Sequence, residues 1–150
     1  MMELQELGQG IYRVVPTRSR ELVQSCPYLV QSGESGVLVD PGGHDDFAEI
    51  HALVSGRIGI DRIPFIVLTS EAPDACSSLA HWARAGFRGK VLIDWKAYQG
   101  ARHYEWDLDT VILRSPVERF MFGEARELIE RARLLEENSR EIRDRVTAAR

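Results

Sequence analysis

Ile66-Val67-Leu68-Thr69-Ser70-Glu71-Ala72-Pro73-Asp74-Ala75-Cys76-Ser77-Ser78-Leu79 is the stretch that decides the fold. Its front end continues an apolar run that begins at Ile63, which marks a strand buried on both faces. A polar loop from Ser70 to Asp74 follows. A helix is then expected over about 75–85, stopping near Gly86. Asp74 is placed to cap that helix or to accept from loop amides.

Working outward, Tyr28-Leu29-Val30-Gln31 and Gly36-Val37-Leu38-Val39-Asp40 read as two strands. Ser32-Gly33-Glu34-Ser35 between them carries turn chemistry, so the pair forms a hairpin. Asp40-Pro41-Gly42-Gly43 breaks the second strand. Asp45 or Asp46 can cap a helix running to about Ser55, with Phe47, Ile50, Leu53 and Val54 at helical spacing. Gly10 to Val15, Lys90 to Asp94 and Thr110 to Arg114 read as further strands. The order alternates strand and helix after the hairpin, which defines an α/β (α+β) sheet with flanking helices.

The composition changes after about Gly123. Glu124 to Arg150 holds no glycine, proline or aromatic residue. Its apolar positions repeat every three and four residues, with Leu128, Leu135 and Ile142 seven apart. Ala132 and Val146 lie on the same seam, and Ser139 is its polar member. This pattern reads as a long heptad helix whose partner is a second copy of itself or the body of its own domain. The expected organisation is therefore a domain over 1–122 and a C-terminal helix, a coiled coil, over 123–150. Phe120, Met121 and Phe122 in the connecting stretch are expected to pack against the body.

The chain has 150 residues, is 44% hydrophobic and carries a net charge of -4. That balance gives no general attraction to nucleic acid or anionic membranes, and the arginines of the tail interleave with glutamates. No apolar run approaches the ~20 residues needed to span a bilayer. The acidic N-terminus lacks a signal-peptide core, so the expected location is the cytoplasm. Cys26 and Cys76 are too few for a disulfide framework and read as small apolar side chains in or near the core.

Two of these stretches, Tyr28 to Gly42 and Ile66 to Leu79, together with the element order over residues 8 to 115, resemble the N-terminal half of the metallo-β-lactamase superfamily. The similarity is greatest to the flavodiiron and oxygen-binding di-iron branch. In that branch the metal loop reads His-x-Glu-x-Asp-His, followed by small residues and Leu. Carried across by position, the first His falls on Ser70, the second ligand on Ala72 and the last His on Ala75, while the Asp is kept as Asp74. Alanine has no lone pair to give, and serine is a poor neutral ligand for iron or zinc. Glu71 lies one position out of register. The resemblance also implies two similar β-rich halves, whereas the sheet material here is expected to end near Arg114. The later His and Asp ligands of the superfamily have no counterpart in the tail. No resident metal, cofactor or catalytic residue is therefore expected, neither iron nor zinc.

What remains of the pocket is expected to be lined by His44, Asp74 and His103. His51 and His81 read as solvated or core-edge histidines within helices. Trp82, Trp95, Tyr98, Tyr104 and Trp106 cluster in the sequence and read as core and rim packing, with a ligand-stacking wall as the alternative. The half-domain leaves an apolar sheet face that must be covered, for which self-association is the simplest means. The resulting reading is a non-catalytic sensory or interaction module. It dimerises through the helix, and through the sheet face as well, and acts on a downstream output domain or protein partner. Two alternatives stand beside it: a hydrolase or di-iron oxidoreductase with a displaced metal site, and a structural scaffold.

Overall fold

A computed structural model describes residues 1–16 and 26–114. The coil positions Leu128, Ala132, Leu135, Ile142 and Val146, and the boundary at residue 122, lie outside the described residues.

Seven strands form one sheet in sequence order: β1 (Met2–Gly8), β2 (Ile11–Pro16), β3 (Tyr28–Ser32), β4 (Ser35–Val39), β5 (Phe65–Leu68), β6 (Lys90–Asp94) and β7 (Thr110–Leu113). The first four pair antiparallel, with a two-residue turn at Gly33-Glu34 closing the β3–β4 hairpin. β4 to β7 pair parallel. Parallel neighbours need crossovers, and the chain supplies α1 (Phe47–Arg57), the short α2 (Pro73–Cys76) and α3 (Leu79–Arg84), and α4 (Trp95–Ala101). Each crossover steps the same way across the sheet, so right-handed connections put all the helices on one face. The packing agrees, since Ile50, Val54, Leu79, Trp82, Ala97 and Ala101 share one core with Leu29, Leu38, Ile66, Val91 and Ile93.

The register fixes what lies on the opposite face. Ile11, Val30, Val37 and Phe65 stand side by side in one row. Arg13, Tyr28, Val39, Val67, Leu92 and Val111 form the next. None of these joins the helix-side core. A sheet built of parallel strands is ordinarily covered on both faces, and this second face is apolar over its middle strands but carries Glu3, Gln5 and Arg13 towards β1 and Lys90 on β6.

Three local features differ from the sequence reading. β1 adds an edge strand whose alternating Glu3, Gln5 and Leu4 suit one solvated and one covered face. The expected helix over 75–85 is two short helices. The Ser78 hydroxyl donates to the Gly42 and Pro41 carbonyls (2.7 and 3.2 Å), and this tie turns the chain between them. α1 begins after Asp46 as expected, but the Asp46 side chain makes no capping hydrogen bond. α4 does use a carboxylate cap, Asp94 accepting from the Lys96 and Ala97 amides.

Gly56 sits inside α1, exposed, with open space where a Cβ would stand. Gly56→Ala is expected to stabilise the protein by ~0.5–1 kcal/mol, because alanine has less backbone entropy to lose in a helix. Urea unfolding checks this, and a lower midpoint would contradict it.

Candidate functional site

In open α/β sheets, the crevice beyond the carboxyl ends of the parallel strands is where ligands bind. Here that edge is formed by Asp40 after β4, Thr69 after β5 and Asp94 at the end of β6. Asp40 takes a left-handed backbone (φ 48), which a short polar side chain tolerates. Its carboxylate accepts from the Thr69 amide (2.8 Å) and the Thr69 hydroxyl, and its own amide donates to Val67 O (2.8 Å). Asp40 therefore clamps the ends of β4 and β5 together.

The chain then turns through Pro41 and Gly42, both buried. Pro41 O accepts from the Trp82 indole N–H at 3.3 Å, and Gly42 O from the Ser78 amide at 3.3 Å. The His44 amide donates to Ser77 Oγ at 2.9 Å. These bonds lock the corner onto α3. They bring the His44 and His81 rings together, Nδ1 of one 2.7 Å from Nε2 of the other, with ring centroids 4.5 Å apart. At that distance one nitrogen carries the proton and the other accepts it, so both rings cannot be protonated there. Phe47 stacks on His81 (5.1 Å) and meets Trp82 edge-on (5.4 Å). The His81 pKa is lowered, first by desolvation, then by His44 and Arg84.

The loop after β5 holds a different chemistry. Ser70 Oγ accepts from the Ala72 amide at 3.0 Å, a local turn bond. Ala72 occupies the cap position of α2 and Pro73 its first turn, so the helix starts two residues earlier than expected. Asp74 lies inside that first turn, where its charge suits the helix dipole, and is not the cap residue. Its Cα stands 3.5 Å from where a Gly43 Cβ would be, so it neighbours the His44 corner through backbone. Glu71 turns the other way, and its stem lies against Gly100 of α4, closer than a Cβ there would allow. Cys76 is fully buried and donates to Ala72 O at 3.2 Å. Burial, followed by the nearby charges of Asp40, Asp74 and Glu71, pushes its thiol up to about 12.

This thiol is therefore almost wholly protonated near neutral pH, and the thiolate is the reactive form. Iodoacetamide at pH 8 is expected to label Cys76 only as fast as the protein unfolds, while half-buried Cys26 reacts in the native state. Peptide mass spectrometry after timed labelling reads both rates. Cys76 labelling that is fast and indifferent to stabilising salt would refute this.

The three expected pocket residues are placed differently from one another. Asp74 comes beside the corner through its backbone at Gly43, the residue before His44. His103 is exposed in the 3-10 turn Arg102–Tyr104 beyond α4. Among the described residues no group of three His, Cys, Asp or Glu side chains is arranged to hold a metal ion. Sequence reasoning paired neither His44 with His81 nor Asp40 with Thr69. A hydroxyl pair at Ser77-Ser78 opposite a Pro-Gly corner was the available signal for the second contact layer, but nothing local linked two histidines 37 residues apart. The aromatic run divides in two. Trp82 is fully buried beside Phe47 and His51, while Tyr98 of α4 stands between Trp95 (6.2 Å) and Trp106 (6.5 Å).

The sheet, its one-sided helices and the strand-end corner define a metallo-β-lactamase-type domain that spans part of that fold. Three solved structures show the likeness. The Rm3 metallo-β-lactamase superposes with a TM-score of 0.66 at 19% identity, over 80% of this chain and 48% of that one. A variant of the flavo di-iron protein from Thermotoga maritima gives 0.66 at 18%, over 82% and 35%. A chemotaxis sensor ODP in a peroxy di-iron state gives 0.58 at 21%, over 83% and 50%. The chain spans about half the length or less of these structures. No curated protein sequence matches it. The family model described as ODP family beta lactamase matches residues 23–130, and the chain belongs to that family.

The residues of the loop after β5 bear on the di-iron chemistry named for such relatives. Ser70 Oγ is committed to a backbone amide, Ala72 and Ala75 offer no donor atom, Ala75 is buried, and Glu71 leans on α4. Asp74 alone cannot bridge two ions. The donor set of this loop does not fit a dinuclear centre. Among the described residues no helix is long and apolar enough to cross a membrane.

Proposed function

We propose that the chain is a cytoplasmic, non-catalytic sensory module of the ODP family that self-associates and passes its signal through residues 124–150. The observation that carries this reading is the loop Ser70 to Ala75, which keeps the family's strand-loop-helix setting with only the aspartate of its donor set. Membership in the ODP family, and likeness to a chemotaxis sensor of that name, support a sensing role over hydrolysis. In this reading the ligand end is the corner carrying His44 and Asp74, with His103 as its third residue. The heptad seam at Leu128, Ala132, Leu135, Ile142 and Val146 is the output end, coupling two copies to each other and to an output domain or partner. The sheet face opposite the helices, with half-buried Val39 and Val67, is a second contact between copies in this reading.

Metal analysis of protein purified without chelator tests the non-catalytic part. Iron well below one ion per chain is expected after gel filtration, and two iron or zinc ions retained per chain would overturn it. Light scattering tests the assembly. The full chain is expected to run as a dimer and its Leu135→Glu variant as a monomer. An unchanged dimer in that variant would move the contact from the seam to the sheet face.

A further inference from the structure

We propose that His44 and His81 together form a binding site for one borderline divalent transition-metal ion, of the zinc or nickel kind, distinct from the donor-poor loop Ser70 to Ala75. The two rings come from a loop and from α3, yet Nδ1 of His44 and Nε2 of His81 already face each other at 2.7 Å across a single proton. Replacing that proton by a metal ion requires both lone pairs to point at one atom. With metal–nitrogen bonds of about 2.0–2.1 Å at a tetrahedral angle, the two nitrogens would stand about 3.3–3.4 Å apart. The nitrogens therefore need to separate by about 0.6–0.7 Å, and each ring must also tilt by about 35° so that its lone pair points at the ion and not along the N···N line.

The surroundings hold both rings near that geometry. The His44 amide is fixed to Ser77 Oγ, and the adjacent carbonyls of Pro41 and Gly42 are tied to Ser78 and Trp82. Phe47 stacks on one side of the His81 ring. Supporting contacts of this kind orient imidazole ligands and strengthen metal binding. His44 is exposed and His81 half-buried, so water can fill the remaining coordination positions. Imidazole nitrogen selects zinc, nickel and copper over magnesium and calcium, which prefer oxygen. Exposed Asp45, next to His44, adds favourable charge, while Arg84 one turn beyond His81 opposes it. With two protein ligands the ion is exchangeable and does not survive gel filtration. The site does not depend on the sensory reading above, whose failure would appear as two retained ions per chain.

Calorimetric titration of the full chain with zinc chloride and with nickel chloride, in a buffer that does not bind metals, tests the proposal. One ion per chain is expected, with magnesium giving no heat. His44→Ala and His81→Ala should each weaken binding at least tenfold, and His103→Ala should leave it unchanged. His44 is exposed, so its substitution removes a ligand without opening the core, and circular dichroism confirms that each variant is folded. Zinc should also shift the ring-nitrogen resonances of His44 and His81 together in NMR spectra. Absence of binding by the full chain would overturn the proposal, as would binding that either single variant leaves intact.

Discussion

Trp82→Ala is expected to lower the unfolding free energy by ~3–5 kcal/mol, the range for deleting a large buried aromatic side chain. Trp82 has no exposed surface and is the largest fully buried side chain among the described residues. Its loss opens a cavity between α1 and α3 and removes the indole donor to Pro41 O. Domains of this size are commonly stable by only ~5–15 kcal/mol, so the variant should unfold at far lower urea, or fail to fold at 37 °C. Urea denaturation followed by circular dichroism decides the matter. A loss under ~1 kcal/mol would mean the helix layer packs otherwise than described.

Gly42→Ala is expected to cost ~2–5 kcal/mol, from two separate sources. Gly42 has φ 94, a backbone conformation that costs a residue with a Cβ about 1–2 kcal/mol. The added Cβ would also stand 2.3 Å from Cδ1 of Ile50, a fully buried core residue, and overpacking of that kind costs about 1–3 kcal/mol. The same corner positions His44, so the variant should lose the paired NMR behaviour of His44 and His81 as well as stability. Gly56→Ala, predicted to stabilise, is the natural control, since both changes add one methyl group. If the two variants behave alike, steric argument at the corner fails.

Much of the fold was legible because its signals are local. Alternation in Tyr28 to Gln31, the continuous apolar run at Ile66 to Leu68, and the breaker at Asp40 to Gly43 depend only on neighbours in the chain. Where local signals conflicted, tertiary contacts prevailed. Ser77-Ser78 looked like helix interior, but the Ser78 hydroxyl gains two carbonyl partners by leaving the helical path. Asp74 looked like a cap, yet Pro73, which has no amide to donate, starts the helix ahead of it. β1 went unread because its acidic residues mask an edge-strand alternation.

The loop Ser70 to Ala75 could be judged from sequence alone in one respect, because the absence of donor atoms at Ala72 and Ala75 is a matter of composition and no fold can supply them. The apolar character of the strands was likewise written in the chain. Which face each residue takes was not, because it depends on the register with strands up to tens of residues away. The pairing of His44 with His81 belongs to the same class. It exists because Ser77, Ser78 and Trp82 pull the Asp-Pro-Gly corner onto α3, and those bonds form only once the sheet has brought β4 beside β5.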